Sequence, residues 1–305
     1  MSRTSRSTRR TSPSKRSRTS SLDPLTLHGR TFDTTYGTVR LQRDEDGRNA
    51  VTMYVNDVPS SYIDLDDPDN VTFEYLEIMR LVIASLPDGP LAVTHLGAAG
   101  CTLARSIAHR RPHSTQIAID LDPKLLEFTR EWFDLPRSPA LRLRPGDARE
   151  ALVAMRSDSA DVIVRDAFAG NATPDHLTTA QFVAEVRRVL KPGGLYLANV
   201  ADRPPLGLTR CEVATIRDQF GPDARIGVIT EPGILRGRRY GNVVIAATEI
   251  GGDTAVLDDP SLIRRLRTLA VPMSVVQGDE LDQFAHGAAI RNDPPGGEST
   301  SVTTT

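Results

Sequence analysis

The stretch LAVTHLGAAGCTLARSIAHRRPHSTQIAIDLD, residues 91–122, decides the fold. It runs from a short apolar segment through a Gly/Ala turn and a helix-like segment to a second apolar segment and then acids. That order is a βαβ unit. The turn after the first strand brings backbone close to a ligand. Asp120 closes the second strand about twenty residues later, where a carboxylate can accept both hydroxyls of a ribose. Gly97 and Gly100 permit the tight backbone such an approach requires. The full G-x-G-x-x-G is absent, so this segment alone also fits a plain βα turn of a doubly wound protein.

Downstream the alternation continues as a parallel sheet requires. Asp122-Pro123 caps and opens a helix. A strand at 141–144 ends in PGDAR, with a helix to Met155. The strand DVIVR, 161–165, ends in DAFAGNATPDHL, and the helix TTAQFVAEVRRVL follows. KPGG stops that helix and GLYLANV begins a fifth strand. A helix at about 209–220 precedes strands near 224–229 and 242–248, which read as an antiparallel terminal hairpin, and a helix at about 258–269 completes the body. The fold class is α/β, a doubly wound, mostly parallel seven-stranded sheet. Such sheets bind ligands beyond the carboxyl ends of their strands, where the strand order reverses. Those ends carry Gly97 to Gly100, Asp120, Gly146 with Asp147, and Asp166. Each acid is individually a candidate helix cap, Asp147 above all. Three at successive strand ends, beside a Gly turn, outline a site for a ligand with a ribose and a polar base. The strand ends therefore point to a nucleoside-binding α/β enzyme.

Composition sets the surroundings. The longest apolar runs fall far short of the ~20 residues a membrane helix needs, and no apolar h-region follows the basic start. The two cysteines, Cys101 and Cys211, form no metal spacing and no disulfide framework. A soluble cytoplasmic protein, without membrane or metal, is expected. Residues 1–22 form a basic tail of Ser, Thr and Arg, expected to be disordered, because such a segment buries too little to offset its ordering entropy. The chain carries a net charge of −2; without the seven positive charges of residues 1–20 it stands at −9. An acidic body favours a cationic substrate, and nucleic acid is not an expected partner. Residues 23–70 alternate β-branched and polar residues around DEDGRN as a small hairpin region. It is too short to stand alone and must pack on the main domain or on a second subunit, as in a homodimer. Residues 71–270 are the main domain. Its first helix, VTFEYLEIMRLVIASL, has apolar residues at helical spacing over about four turns, with Asn70 or Thr72 as cap. Residues 271–305 form an extension, disordered from about 291.

With these residues in view, the chain resembles the class I methyltransferase fold and, within it, the spermidine synthase or polyamine aminopropyltransferase family. The resemblance spans about residues 35–248. It rests on VTHLGAAGCTLAR, AIDLDP, RPGDAREAL, DVIVRDAFAG and HLTTAQFVAEVRRVLKPGGLYLANV, and DDPDNVTFEYLEIM resembles the same group's first helix. It is similar in particular to synthase-like domains that some bacteria carry alone or fused to membrane transport segments. What the resemblance implies is transfer of an aminopropyl group from decarboxylated S-adenosylmethionine (or another alkyl group from S-adenosylmethionine) to a small amine such as putrescine. The donor is a substrate, and no prosthetic group is implied. Asp166 then matches the catalytic aspartate and Asp120, followed by Leu121, the ribose-binding acid. Asp147 with Ala148 matches the adenine-binding pair. Gly97, Ala98, Ala99 and Gly100 approach the adenosyl portion through backbone. Tyr75 and Asp166 line the acceptor side.

Two departures touch that acceptor side. The family's second acid, three residues after the catalytic aspartate, is Ala169, and the glutamine of the first helix is Leu76. Losing a carboxylate from a dication site removes a contact worth roughly 1.5–3 kcal/mol. Asp175, or an acid of DLDDPD at 64–69, is the expected substitute. Two other functions stay open: a methyltransferase, which needs a cation such as Arg105 or His95 for the methionine carboxylate, and a non-catalytic nucleoside-binding protein on the same scaffold. His176 is read as a residue of the helix approach, RGRRY (236–240) as a solvated loop, and Cys101 as a packing residue.

Overall fold

The computed structural model describes residues 22–97, 99–170, 172–249 and 256–295. Four short strands come first: β1 (Thr31–Asp33), β2 (Thr38–Arg43), β3 (Ala50–Val55) and β4 (Val58–Asp64). They form one antiparallel sheet in sequential order, a meander where a hairpin is expected. After α1 (Glu74–Ala84), β/α alternation begins: β5 (Ala92–Leu96), α2 (Thr102–Arg110), β6 (Thr115–Asp120), α3 (Pro123–Trp132), β7 (Arg142–Pro145), α4 (Ala148–Val153), β8 (Ala160–Arg165), α5 (Ala180–Val189) and β9 (Leu190–Asp202). The chain continues as α6 (Gly207–Phe220), β10 (Arg225–Thr230), α7 (Pro232–Leu235), β11 (Gly241–Thr248), α8 (Pro260–Arg267), β12 (Ser274–Gln277) and α9 (Gly278–Phe284).

The large sheet has eight strands in the order β12-β10-β11-β9-β8-β5-β6-β7. Strands β7 through β9 run parallel, and β11, β10 and β12 add antiparallel neighbours at the other edge. The doubly wound fold therefore stands, with one strand more than the seven expected. SVVQ is too short for periodicity to reveal, and β10 supplies the partner that makes it a strand. The segment from 271, expected as an extension, is correspondingly part of the body. Nor does order end at 291: Arg291 donates its N–H to Thr215 and accepts from Ala180, and Asp293 pairs with Arg149. The basic tail at 1–21 and residues 296–305 lie outside the described residues.

The sheet's two faces bury separate cores. Leu96, Ile119, Ile163 and Tyr196 pack against α4, α5 and α6. Val93, Val162, Val164, Leu197 and Val244 pack against α1, α2 and α8. The small sheet shares a third core, through Val39, Leu41, Met53 and Ile63, with Ala104, Leu125 and Trp132 of the main domain. Helix α1 has eleven residues and no side-chain cap. Asn70, an expected cap, instead donates to Asp64 Oδ2 at 2.8 Å.

Candidate active site

The strand order reverses at β5 and β8, and the crevice beyond their carboxyl ends is where a sheet of this kind holds a ligand. Gly97 follows β5 with φ +93°, and a Cβ there would lie 2.2 Å from the carbonyl oxygen of Asp166. In return the Asp166 N–H donates to Leu96 O at 2.8 Å. The glycine turn is thus pressed against the backbone of the aspartate that ends β8. Gly100 is confined from the other side, where a Cβ would lie 2.8 Å from Ile63 and Ser61 of β4. Its N–H donates to Ser61 Oγ at 2.9 Å.

Asp166 is partly buried on the α1 side of the sheet. Asn199 Nδ2, from β9, donates to one carboxylate oxygen at 2.9 Å, and the Tyr75 hydroxyl, from α1, donates to the other at 3.1 Å. Burial raises its carboxyl above the ordinary value, against the pull of Asn199, Tyr75 and the neighbouring Arg165 charge. Burial and the adjacent carboxylate also push the Tyr75 phenol well up, so it stays a donor. On the opposite face Arg165 is fully buried and joins Glu212 at 2.7 Å, with further bonds to the carbonyls of Leu177 and Asn199. This pair ties β8, β9 and α6 beneath the site.

The acids next to the glycine turn are organised by backbone N–H groups. Asp120 accepts from Ala99, at φ +35°, and from Asp122 at 3.3 and 3.0 Å. Leu121 beside it is 43% exposed. Ala98 lies outside the described residues. Asp122 caps α3 through Leu125 and also holds the N–H groups of Thr35 and Tyr36. Asp147 is the cap of α4, accepting from Arg149 and Glu150, while its other oxygen meets His176 Nε2 at 2.8 Å. Although burial pushes its carboxyl up, His176 and the cap N–H groups hold it below the ordinary range. Ala148 is buried behind it. His176 is therefore a contact of the site, beyond the helix-approach role expected of it.

The acids expected to replace the one missing at Ala169 lie elsewhere. Asp175 points outward, its side chain 92% exposed and paired with Arg291 at 2.7 Å. In the DLDDPD turn, Asp64 accepts the N–H groups of Asp66 and Asp67, and Asp69 binds Ser106 and Arg110. Those acids build the turn and fasten it to α2. Arg105 is buried and donates to Asp64 O. His95 is buried against Gln116, with its imidazole lowered to about 4 by burial. Cys101 is buried as a packing residue should be, which lifts its thiol to about 12. Asn199 is a partner that the sequence pattern does not single out. The signal that could have found it is its place: it ends the apolar run GLYLA at the carboxyl end of its strand, as Asp120 and Asp166 do on theirs.

A methyltransferase-domain family profile matches residues 94–198. The chain is 32% identical to a probable spermidine synthase from Corynebacterium glutamicum, with a TM-score of 0.79 over 90% of this chain and 98% of that one. It is 30% identical over 146 residues to a polyamine aminopropyltransferase of Chromobacterium violaceum, covering 46% of this chain and 53% of that protein. It is 28% identical over 201 residues to an N-terminal histidine N-methyltransferase of Emericella nidulans, covering 64% and 35%. The chain thus spans about half the length of the curated aminopropyltransferases it matches. Among the described residues no helix is long and apolar enough to cross a membrane.

Proposed function

The chain belongs to the spermidine synthase-like family on the class I methyltransferase fold, and on that premise we propose that it transfers an aminopropyl group from decarboxylated S-adenosylmethionine to a small amine. The observation that carries this reading is Asp166, a carboxylate raised by burial, bonded by Tyr75 and Asn199 and set directly against the glycine turn. Protonated amines do not attack carbon. A carboxylate with a raised pKa takes the amine's proton more readily than an ordinary one. The freed nitrogen lone pair then forms a C–N bond to the methylene next to the sulfonium. The C–S bond breaks, its electron pair stays on sulfur, and neutral methylthioadenosine leaves. The proton held by Asp166 passes to solvent. Asp120 would accept the ribose hydroxyls, Leu121 would cover the base, Asp147 would face its polar edge, and the turn from Gly97 to Gly100 would meet the adenosyl portion through backbone.

Methyl transfer is the second reading, favoured by the likeness to the histidine N-methyltransferase. Against it, the two cations near the glycine turn, His95 and Arg105, are both buried in structural hydrogen bonds, so neither supports capture of a methionine carboxylate. Incubating the purified protein with each sulfonium donor and a panel of amines, with mass spectrometry of the products, decides between them. Methylthioadenosine with an aminopropylated amine is expected. S-adenosylhomocysteine with a methylated product would overturn the reading.

A further inference from the structure

Tyr75 has two sides. Its hydroxyl reaches Asp166, and its ring also lines a cavity of about 110 Å³ with Glu74, Ile78, Glu231, Arg239, Asn242 and Met273 among its walls. Glu231 opens α7 and is paired with Arg239, whereas Glu74 in the first turn of α1 has no ionic partner among the described residues. Strand register brings the cavity beside the aspartate. Asn199 is paired with Val244 and Ala201 with Asn242, so Asn199 and Asn242 lie on one face of the β9/β11 pair, two residues apart along the strands. Asn199 is itself 2% exposed. It spends its Nδ2 on Asp166 and leaves its Oδ1 buried without a partner. A buried acceptor of that kind calls for an N–H donor.

We propose that this cavity is the seat of the distal ammonium of a linear diamine, with Glu74 and Glu231 in place of the carboxylate missing at Ala169. The inference rests on the aminopropyl-transfer reading. The attacking nitrogen sits between Asp166 and Asn199 Oδ1, and the far nitrogen lies past the Tyr75 ring against the two glutamates. Three carboxylates (Asp166, Glu74 and Glu231) against the one guanidinium of Arg239 leave two negative charges, which matches the two ammonium groups of a free diamine. Ile78 and Met273 supply an apolar wall for methylenes. Arg239 weakens the seat by occupying Glu231.

The test uses the full chain, with 1,4-diaminobutane and 1-butylamine as acceptors and calorimetric binding of each in the presence of methylthioadenosine. Glu74→Gln and Glu231→Gln are expected to lower the preference for the diamine over the monoamine about tenfold each. Arg239→Gln is expected to raise it, an effect opposite in sign to that of a merely structural arginine. If the wild type forms product while both glutamate variants keep the diamine preference within twofold, the subsite is overturned and the transfer reading stands. If no amine is turned over but calorimetry shows glutamate-dependent diamine binding, the subsite stands and the transfer reading falls. Diamine and monoamine binding equally well to the wild type overturns the subsite directly.

Discussion

Asp166 concentrates the chemistry at one residue, and its environment gives its variants opposite signs in activity and stability. A carboxyl whose folded-state pKa lies above its unfolded value of 3.8 contributes stability that is full below that value and is lost as pH rises through the folded one. At neutral pH the charged form therefore costs the fold free energy. Asp166→Asn should leave the thermal midpoint unchanged or raised at pH 7, while product formation falls by roughly 10²–10⁴-fold. A lowered midpoint would place Asp166 among residues that hold the fold together. Tyr75→Phe removes a hydrogen bond to the ionised form, so the acidic limb of kcat/KM should move to higher pH, with the direction read from a pH–rate profile. Asp120 and Asp166 are legible in the sequence because they end β-branched runs. Asn199 meets the same rule but carries no charge to draw attention to it. Tyr75 on a helix reads first as core. The Arg165–Glu212 pair joins residues 47 apart in the chain, and no local pattern reports such a contact.

At the scale of elements, the turn after β5 does more than admit a ligand. Gly97→Ala places a methyl 2.2 Å from the Asp166 carbonyl at φ +93°, so β5 and β8 must part where Asp166 is positioned. Gly146, with φ +147°, has open space around its missing Cβ. Its alanine variant should lose only the conformational strain of about 1–3 kcal/mol. Gly97→Ala should lose more, together with product formation, by urea unfolding and product assay; equal losses at the two sites would refute the close approach. The sequence points to Gly97 as the place where backbone meets ligand. What a side chain there would strike is another strand, and that contact exists only once the strand order is known. The eighth strand and the start of α1 escape sequence patterns for a related reason: a four-residue strand and an uncapped helix end take their definition from neighbours.

Over the whole molecule, the segment beyond α9 closes the side of the site near Asp147. Arg291 reaches Asp175, and Asp293 forks onto Arg149, whose own guanidinium also meets the carbonyl of His176. Asp293→Ala should cost about 1 kcal/mol of unfolding free energy, the scale of a partly exposed ion pair, and should weaken methylthioadenosine binding by calorimetry. Unchanged nucleoside affinity would show that the segment only covers the fold. The main doubly wound architecture is readable because each of its strands and helices carries its own period. The closing segment reads as a loose tail because DPPGG looks like one and its partners sit on α4, α5 and α6. The contact between Gly97 and the Asp166 backbone fixes the base to the donor cradle by main chain, whereas the proposed acceptor walls are side chains of α1, α7 and the loop before β11. Evolution or an engineer can therefore rewrite which amine is accepted, wall by wall, without disturbing the alignment of leaving group and base.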